Sequence, residues 1–110
     1  MLLPVAAIDA NTSCIYTYRM EFTWSDRKRA RNIKDHGLDF VDSPSVFEGL
    51  RYTFEDDRFS FGEQRFITLG LLAGIPVSIA HTENHHEIHI ISFRKATNRE
   101  EQVLFSQFQN

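Results

Sequence analysis

The chain has 110 residues and a formal net charge of −3, from 12 basic and 15 acidic side chains. This length suits one domain with its own core, and the net charge alone does not indicate a nucleic-acid binder. Cys14 is the only cysteine, which excludes an internal disulfide and favours a reducing, cytoplasmic setting. The apolar stretch at residues 2–8 is too short to span a membrane and lacks a signal peptide's charged start, so no membrane association is expected.

Residues 1–19 show no periodic pattern, whereas a clear pattern begins at Met20. Two interpretations stay open for this segment. It is either an N-terminal extension outside the core, with the domain spanning residues 20–110, or an ordinary strand or arm. The β-prone run at residues 15–18 is the basis of the second interpretation.

Residues 21–24 alternate polar and apolar side chains and predict a short strand. Ser25 suits the N-cap of a helix, Asp26 suits its first turn, and Gly37 supplies a left-handed stop. Five of the 12 basic residues fall within eight positions of this helix: Arg27, Lys28, Arg29, Arg31 and Lys34. Such a run is either a solvated face or a surface for nucleic acid.

A second helical segment is predicted at residues 39–49, with Ser43 as N-cap and Pro44 as the first helical residue. The polar stretch at residues 51–62 is predicted to be a loop. Runs of β-branched and aromatic residues predict three strands, at positions 64–70, 77–83 and 87–94. Short turns separate them, so an antiparallel meander is expected.

The last element is a helix, for which Thr97 and Glu100 form a capping box. Leu104, Phe105 and Phe108 give it an apolar stripe. The resulting fold class is α+β: a small antiparallel sheet, two N-terminal helices and a C-terminal helix, with the helices packed on one face.

Several short motifs occur in a characteristic order. The first runs through the first helix, and its residues are Phe22, Trp24, Asp26, Lys28, Asn32, Lys34, Asp35, His36 and Gly37. The others are Gly62-Glu63-x-Arg65 followed by Gly70, and Ile90-Ile91-Ser92-x-Arg94-Lys95-Ala96-Thr97 followed by Glu100. With these motifs, residues 20 to about 105 resemble the BrnT family of bacterial toxins.

The resemblance implies a RelE-like fold and a toxin that cleaves RNA and arrests translation, without a cofactor. It also implies neutralisation by a DNA-binding antitoxin of the BrnA family, in an assembly of two toxins with two antitoxins. The partners expected are therefore RNA and a BrnA-like antitoxin.

Metal-independent RNA cleavage needs a base, an acid and cations that stabilise charge on the phosphate. Arg65 and Arg94 are the first candidates, because a guanidinium can hold two phosphate oxygens. Glu63, in the same motif as Arg65, is a further catalytic candidate. The alternatives are an ion pair between Arg65 and an acidic neighbour such as Glu63, and a structural role for Arg94 at the start of the last helix. The two arginines would converge if their strands adjoin.

His89 stands where relatives carry arginine, and it either serves as acid or base or marks a weakened site. Simple alternation places His89 and Arg94 on opposite faces of their strand unless a bulge re-aims one of them. Leu104 occupies a position where relatives often have tyrosine. These departures motivate a second hypothesis, a BrnT-like module that binds its antitoxin but cleaves RNA poorly.

The remaining candidates concern binding. The RNA-binding residues predicted are Lys28, Arg31, Lys34, His36 and Ser92. Trp24 is interpreted as core rather than as a base-stacking residue. A third hypothesis is a metal-binding protein built on His81, His85, His86 and His89, but their spacing fits no standard zinc pattern and no metal site is predicted. Exposed aromatic residues that would mark an antitoxin-binding surface are Phe59, Phe61 and Phe66.

Overall fold

A computed structural model describes residues 12–16, 20–58 and 62–109 of the chain. The strands are β1 (Thr12–Tyr16), β2 (Glu21–Ser25), β3 (Arg51–Glu55), β4 (Phe66–Leu72), β5 (Ile75–Glu83) and β6 (Glu87–Lys95). The helices are α1 (Asp26–His36), α2 (Ser43–Glu48) and α3 (Asn98–Ser106), with a short 3-10 helix at Phe40–Asp42. In this part of the chain the strands form one sheet in the order β1-β2-β6-β5-β4-β3, so the α+β class is confirmed.

The predicted ends of α1 and the predicted capping box of α3 are confirmed. The Ser25 hydroxyl accepts a hydrogen bond from the Lys28 amide at 3.4 Å. Gly37 has a φ of 74°, and its N–H donates to the Ile33 carbonyl, which ends α1. Thr97 and Glu100 form the reciprocal capping box of α3. The start of α2 differs by one residue: its first residue is Ser43, and Asp42 occupies the N-cap position.

The strand between α2 and β4 corrects the prediction of a loop at residues 51–62. Residues Arg51–Glu55 form β3, which pairs antiparallel with β4 through contacts such as Tyr52 with Leu69. Tyr52 and Phe54 are half-buried while the residues between them are exposed. Buried and exposed side chains therefore alternate along β3, as in other strands. The prediction of a loop was wrong because the strand is short and has a charged residue at each end.

The sheet is mixed, so the prediction of an antiparallel sheet was wrong in one pairing. β4, β5 and β6 form the expected antiparallel meander, but β2 runs parallel to β6, with Phe22 opposite Ile88. The pairing joins segments more than sixty residues apart. Local patterns carry no information about such a contact, because either direction buries the same side chains.

Helices cover both faces of the sheet rather than one, which corrects the second feature of the predicted architecture. One core lies beneath α1 and α2 and is built on the residues Phe22, Trp24, Phe40, Val46, Val77, Ile79, Ile88, Ile90 and Phe93. The other core lies beneath α3, where Leu104 packs with Ile67 and Leu69 of β4. Alternation along β4 explains the division into two cores. Ile67 and Leu69 face α3, whereas Gly70 lies on the opposite face, next to Val46 of α2.

The structure describes two of the four aromatic residues for which the sequence analysis predicted a role, Trp24 and Phe66. Trp24 has 2% of its surface exposed and meets Phe40 edge-on at a centroid distance of 6.4 Å, which confirms it as core. Phe66 is half-buried and stacks on His81. Phe59 and Phe61 lie outside the described residues. The proposed antitoxin-binding surface therefore stays a prediction.

The backbone of residues Thr12–Tyr16 pairs antiparallel with β2 over its whole length, with Cys14 opposite Thr23. Whether residues 1–19 belong to the folding unit stays a prediction. Among the described residues, no helix is both long and apolar enough to cross a membrane.

Candidate functional site

A β-bulge in β6 decides where the predicted catalytic side chains point. His81 of β5 pairs with Ile90, but the preceding Ala80 pairs with Ser92, so Ile91 is an extra residue in β6. A bulge of one residue reverses the alternation of the strand beyond it. Simple alternation therefore fails between Ile90 and Ser92.

Because of this bulge, His89 and Arg94 lie on the same face of the sheet. Their partners across the strand pair are Thr82 and Ser78 of β5, which are four residues apart in an unbroken strand. This is the exception that the sequence left open. Five residues of strand still separate the two side chains by roughly 15 Å, so each belongs to its own cluster.

The His89 cluster lies where β6 pairs with β2. Thr23 Oγ1 is 2.7 Å from His89 Nδ1, and the same hydroxyl donates to Glu87 Oε2 at 2.6 Å. The carboxylate of Glu87 is 4.0 Å from His89 Nδ1. The His89 side chain is 37% exposed. With Nδ1 held by Thr23, Nε2 is the nitrogen that can face a substrate.

Arg94 forms a bidentate ion pair with Glu100 of α3. Its Nη1 and Nη2 donate to the two carboxylate oxygens at 2.8 and 3.0 Å. The hydrogen bonds from Arg94 lower the pKa of Glu100, and the same bonds raise the pKa of Arg94. Glu100 also completes the capping box, so Arg94 fixes the start of the last helix. This geometry is the structural alternative named for Arg94.

A cavity of about 310 Å³ opens beside this ion pair. Its lining residues are Phe54, Glu55, Asp56, Asp57, Arg58, Ile67, Arg94 and Glu100. Arg58 forms a second bidentate pair there, with Nε and Nη2 donating to Asp56 at 2.8 and 3.0 Å. These bonds lower the pKa of Asp56. Each arginine that lines the cavity therefore already holds a carboxylate.

Arg65 and Glu63 precede β4. Arg65 Nε donates to Glu63 Oε1 at 3.3 Å, and the Arg65 side chain is 30% exposed. Its carbonyl accepts a hydrogen bond from the Asp56 amide at 2.8 Å, which closes the segment between β3 and β4. The condition for convergence with Arg94 is not met, since β5 lies between β4 and β6.

A groove of about 200 Å³ lies between α1 and β6, and it collects most of the predicted RNA-binding residues. Its lining residues are Lys28, Arg31, Asn32, Asp35, His36, Ile91 and Ser92. Lys34 does not line it. Asp35 is the acidic member, and its carboxylate lies 3.6 Å from Arg31 in an exposed pair one helical turn along. The groove therefore presents two permanent cations and one histidine at a strand edge.

Asn32 was part of the recognised motif, but no role was predicted for it. Its side chain is buried and bonds both backbone groups of Phe93: Nδ2 donates to the carbonyl at 2.7 Å, and Oδ1 accepts from the amide at 3.1 Å. Nδ2 also donates to the Leu38 carbonyl at 2.9 Å. The side-chain amide of Asn32 thus makes the hydrogen bonds to the Phe93 backbone that a neighbouring strand would otherwise make, and it holds α1 beside the groove.

His81, which the sequence analysis considered only as a possible metal ligand, is a buried polar residue. It has no exposed surface and lies against Phe47, with ring centroids 5.2 Å apart. Its Nε2 is 2.7 Å from Thr68 Oγ1, which is also 2.7 Å from Thr53 Oγ1. Burial lowers the pKa of His81 from 6.5 to about 4, because the interior disfavours the charged ring.

The other histidines do not join His81. His85 and His86 are exposed in the turn between β5 and β6, and His89 lies with Thr23. Within the residues that the structure describes, no group of three or more His, Cys, Asp or Glu side chains is placed to hold a metal ion.

Comparison with known proteins bears on this arrangement. A family model described as the ribonuclease toxin BrnT of type II toxin–antitoxin systems matches residues 24–100. This range contains the groove between α1 and β6, both candidate arginines, and His89 and Glu87, whereas Thr23 immediately precedes it. No curated protein matches the chain. Because the matched range covers well over half of the sequence, the chain belongs to the BrnT family of ribonuclease toxins of type II toxin–antitoxin systems.

Proposed function

We propose that this protein is a RelE-like, metal-independent endoribonuclease that cleaves RNA in the cytoplasm and thereby arrests translation. The observation that carries the proposal is the groove between α1 and β6, where Lys28, Arg31, His36 and Ser92 come together. Two cations at a strand edge suit the phosphate backbone of single-stranded RNA, which supplies most of the affinity of such complexes.

The chemistry is assigned to the His89 cluster and the arginines. His89 has one ring nitrogen held by Thr23 and a carboxylate at 4.0 Å, so Glu87 stabilises the imidazolium that forms when Nε2 accepts a proton from a ribose 2′-hydroxyl. Arg65 or Arg94 would stabilise charge on the scissile phosphate. For either arginine to do so, the phosphate must displace a carboxylate, Glu63 or Glu100.

Purified protein with EDTA present is expected to cleave single-stranded RNA, and His89→Ala is expected to reduce the rate at least about 100-fold, the usual contribution of a general base or acid. Arg65→Ala and Arg94→Ala are measured separately, because the two side chains lie in different clusters. Cleavage that requires a divalent metal, or that His89→Ala leaves unchanged, would contradict the mechanism. Growth arrest on expression tests the effect on translation.

The groove has its own test, which is RNA affinity as a function of salt. Lys28→Ala combined with Arg31→Ala is expected to weaken binding and lower the slope of log K against log salt by about 1.4, since each lost phosphate contact on a single strand contributes about 0.7. Arg27→Ala combined with Arg99→Ala is the matched control, because both residues are exposed and line neither cavity. Equal slopes for the two double variants would exclude the groove as the RNA-binding surface.

A second candidate function is an antitoxin-binding module with weak catalysis. The specific observation in its favour is that Arg65 and Arg94 both already hold carboxylates, while Leu104, 1% exposed, is a core residue. Membership of a type II family implies an antitoxin partner. We propose a BrnA-like antitoxin and an assembly of two toxins with two antitoxins. Tight antitoxin binding by a folded protein that cleaves no RNA would favour this candidate.

A further inference from the structure

Among the described residues, β3 is the last strand of the sheet, and its outer edge pairs with no other strand. The Asp56 amide donates to the Arg65 carbonyl at 2.8 Å, which makes that position a hydrogen-bonded pair of the β3–β4 ladder. Because such pairs alternate along antiparallel strands, the backbone of Tyr52 and Phe54 also faces β4. The N–H and C=O groups of Arg51, Thr53 and Glu55 therefore point outward.

The side chains of this strand are self-complementary when it is placed against itself. In an antiparallel pair centred on Thr53, Arg51 of each copy lies opposite Glu55 of the other. Both residues are exposed in the structure. The same register places Tyr52 opposite Phe54 on the other face, where the two rings of one copy lie 5.7 Å apart and remain half-buried. Each side chain of one strand thus meets a suitable counterpart.

Backbone parity selects the same register. The outward groups belong to Arg51, Thr53 and Glu55, and an axis at Thr53 pairs these groups with one another throughout the strand. Moving the axis to Arg51 would place two arginines together, and moving it to Glu55 would place two glutamates together. An axis between these positions leaves part of the strand without a partner. The Thr53 register alone satisfies the charges and the full set of outward groups.

We propose that β3 is a homodimerisation edge, at which two copies of this chain join their sheets through an antiparallel pair centred on Thr53. This interface goes beyond the ribonuclease function and does not depend on it. Pairing of a five-residue strand is a small interface, and we expect a Kd on the order of 10–100 µM at low salt.

Sedimentation velocity of the full chain between about 5 and 500 µM tests the dimer. Arg51→Glu and Glu55→Arg each place like charges at both crossings, and each is expected to weaken the dimer at least about tenfold. An equimolar mixture of the two variant chains restores opposite charges and is expected to form a heterodimer of wild-type affinity. Arg99→Glu, an exposed change of equal charge on α3, is the control and is expected to have no effect.

A second measurement needs no variant, which matters because the Arg51 guanidinium also bonds the Phe47 carbonyl and its loss can affect folding. Hydrogen exchange of the wild-type chain is expected to slow at high concentration for the amides of Arg51, Thr53 and Glu55. The amides of Tyr52 and Phe54, bonded within the ladder, are expected to be protected at every concentration.

Three results would overturn the proposal. The first is a monomer throughout the concentration range, and the second is a dimer that responds to Arg51→Glu and Arg99→Glu alike. The third is concentration-independent exchange of the three outward amides, including the case in which they are protected only by added antitoxin.

Discussion

At the scale of single residues, the two arginines that line the cavity beside α3 are held by carboxylates. Arg94 is bound by Glu100, and Arg58 is bound by Asp56. Phosphate binding at either arginine must compete with a bidentate pair whose geometry is already favourable. The two histidines of the sheet differ from these arginines and from each other. His89 is accessible and has a hydrogen-bond partner at one ring nitrogen. His81 is enclosed in the core, where burial lowers its pKa.

His81 predicts a specific dependence of stability on pH. Its pKa falls from 6.5 in the unfolded chain to about 4 in the folded protein, so the unfolded state binds the proton more tightly. The contribution of His81 to the free energy of unfolding is therefore fully present above pH 6.5 and decreases as the pH falls toward 4. The total decrease is up to about 3 kcal/mol. His81→Gln is expected to remove most of this slope in the free energy of unfolding.

The control for His81 is His86→Gln, which changes an exposed turn residue and should leave the slope intact. Unfolding by denaturant at several values of pH provides the measurement. Hydrogen bonds from arginine lower the pKa values of three carboxyl groups: Arg29 acts on Asp39, Arg58 on Asp56 and Arg94 on Glu100. The stability that these carboxylates contribute is lost only as the pH falls below their ordinary pKa values, so it falls below the range in which His81 acts. A wild-type slope between pH 6.5 and 4 that persists in His81→Gln would contradict the assignment.

At the scale of elements, the caps and the meander were predictable because their causes are local. Ser25, Gly37 and the Thr97–Glu100 box each act within a few residues of the helix end that they define. The turn between β4 and β5 is similar, since Ala73 and Gly74 both adopt positive φ, the backbone of a tight hairpin. The parallel pairing of β2 with β6 has no local cause and was missed.

The candidate site was predictable only in part, for the same physical reason. Lys28, Arg31 and Ser92 share a groove because α1 packs beside β6. These residues could be named from the sequence, but their geometry could not be predicted from it. The bulge at Ile91 is absent from any local pattern, since Ile90, Ile91 and Phe93 are all apolar. Asn32 reads as an ordinary helical polar residue, and its two bonds to Phe93 connect positions 61 residues apart.

The attachment of α1 to β6 predicts a large effect at Asn32. Asn32→Ala leaves the backbone groups of Phe93 and the Leu38 carbonyl without the side-chain amide, so the free energy of unfolding is expected to fall by about 3 kcal/mol. Arg27→Ala, an exposed change on the same helix, should cost no more than about 0.5 kcal/mol. Similar losses for the two variants would show that the bonds of Asn32 contribute little.

At the scale of the whole molecule, one sheet serves two cores. The core under α1 and α2 contains residues from β2, β5 and β6, while the core under α3 contains residues from β4. The groove between α1 and β6 lies beside the first core, and the Arg94–Glu100 pair lies beside the second. In the proposed function, RNA binding would therefore depend on α1 and phosphate chemistry at Arg94 on α3, with β6 contributing to both sites.

The boundary at Met20 is a prediction at this scale. A truncated chain that begins at Met20 is expected to unfold cooperatively, as measured by thermal denaturation, because both cores can be assembled from residues beyond that point. Its melting temperature is expected to fall by several degrees through loss of the β1–β2 ladder. Failure of the truncated chain to fold would assign residues 1–19 to the domain.

The extra residue in β6 has a consequence for how such sequences are aligned. Side chains of a strand alternate between the two faces of the sheet, and the extra residue Ile91 reverses this alternation. The positions that face the core under α1 are therefore 88 and 90 before the bulge and 93 after it. A relative with one residue fewer here would carry its buried aromatic and its arginine each one place earlier. An alignment without a gap would then pair core positions of one protein with surface positions of the other. The bulge therefore has to be aligned before the arginines of the two proteins can be compared.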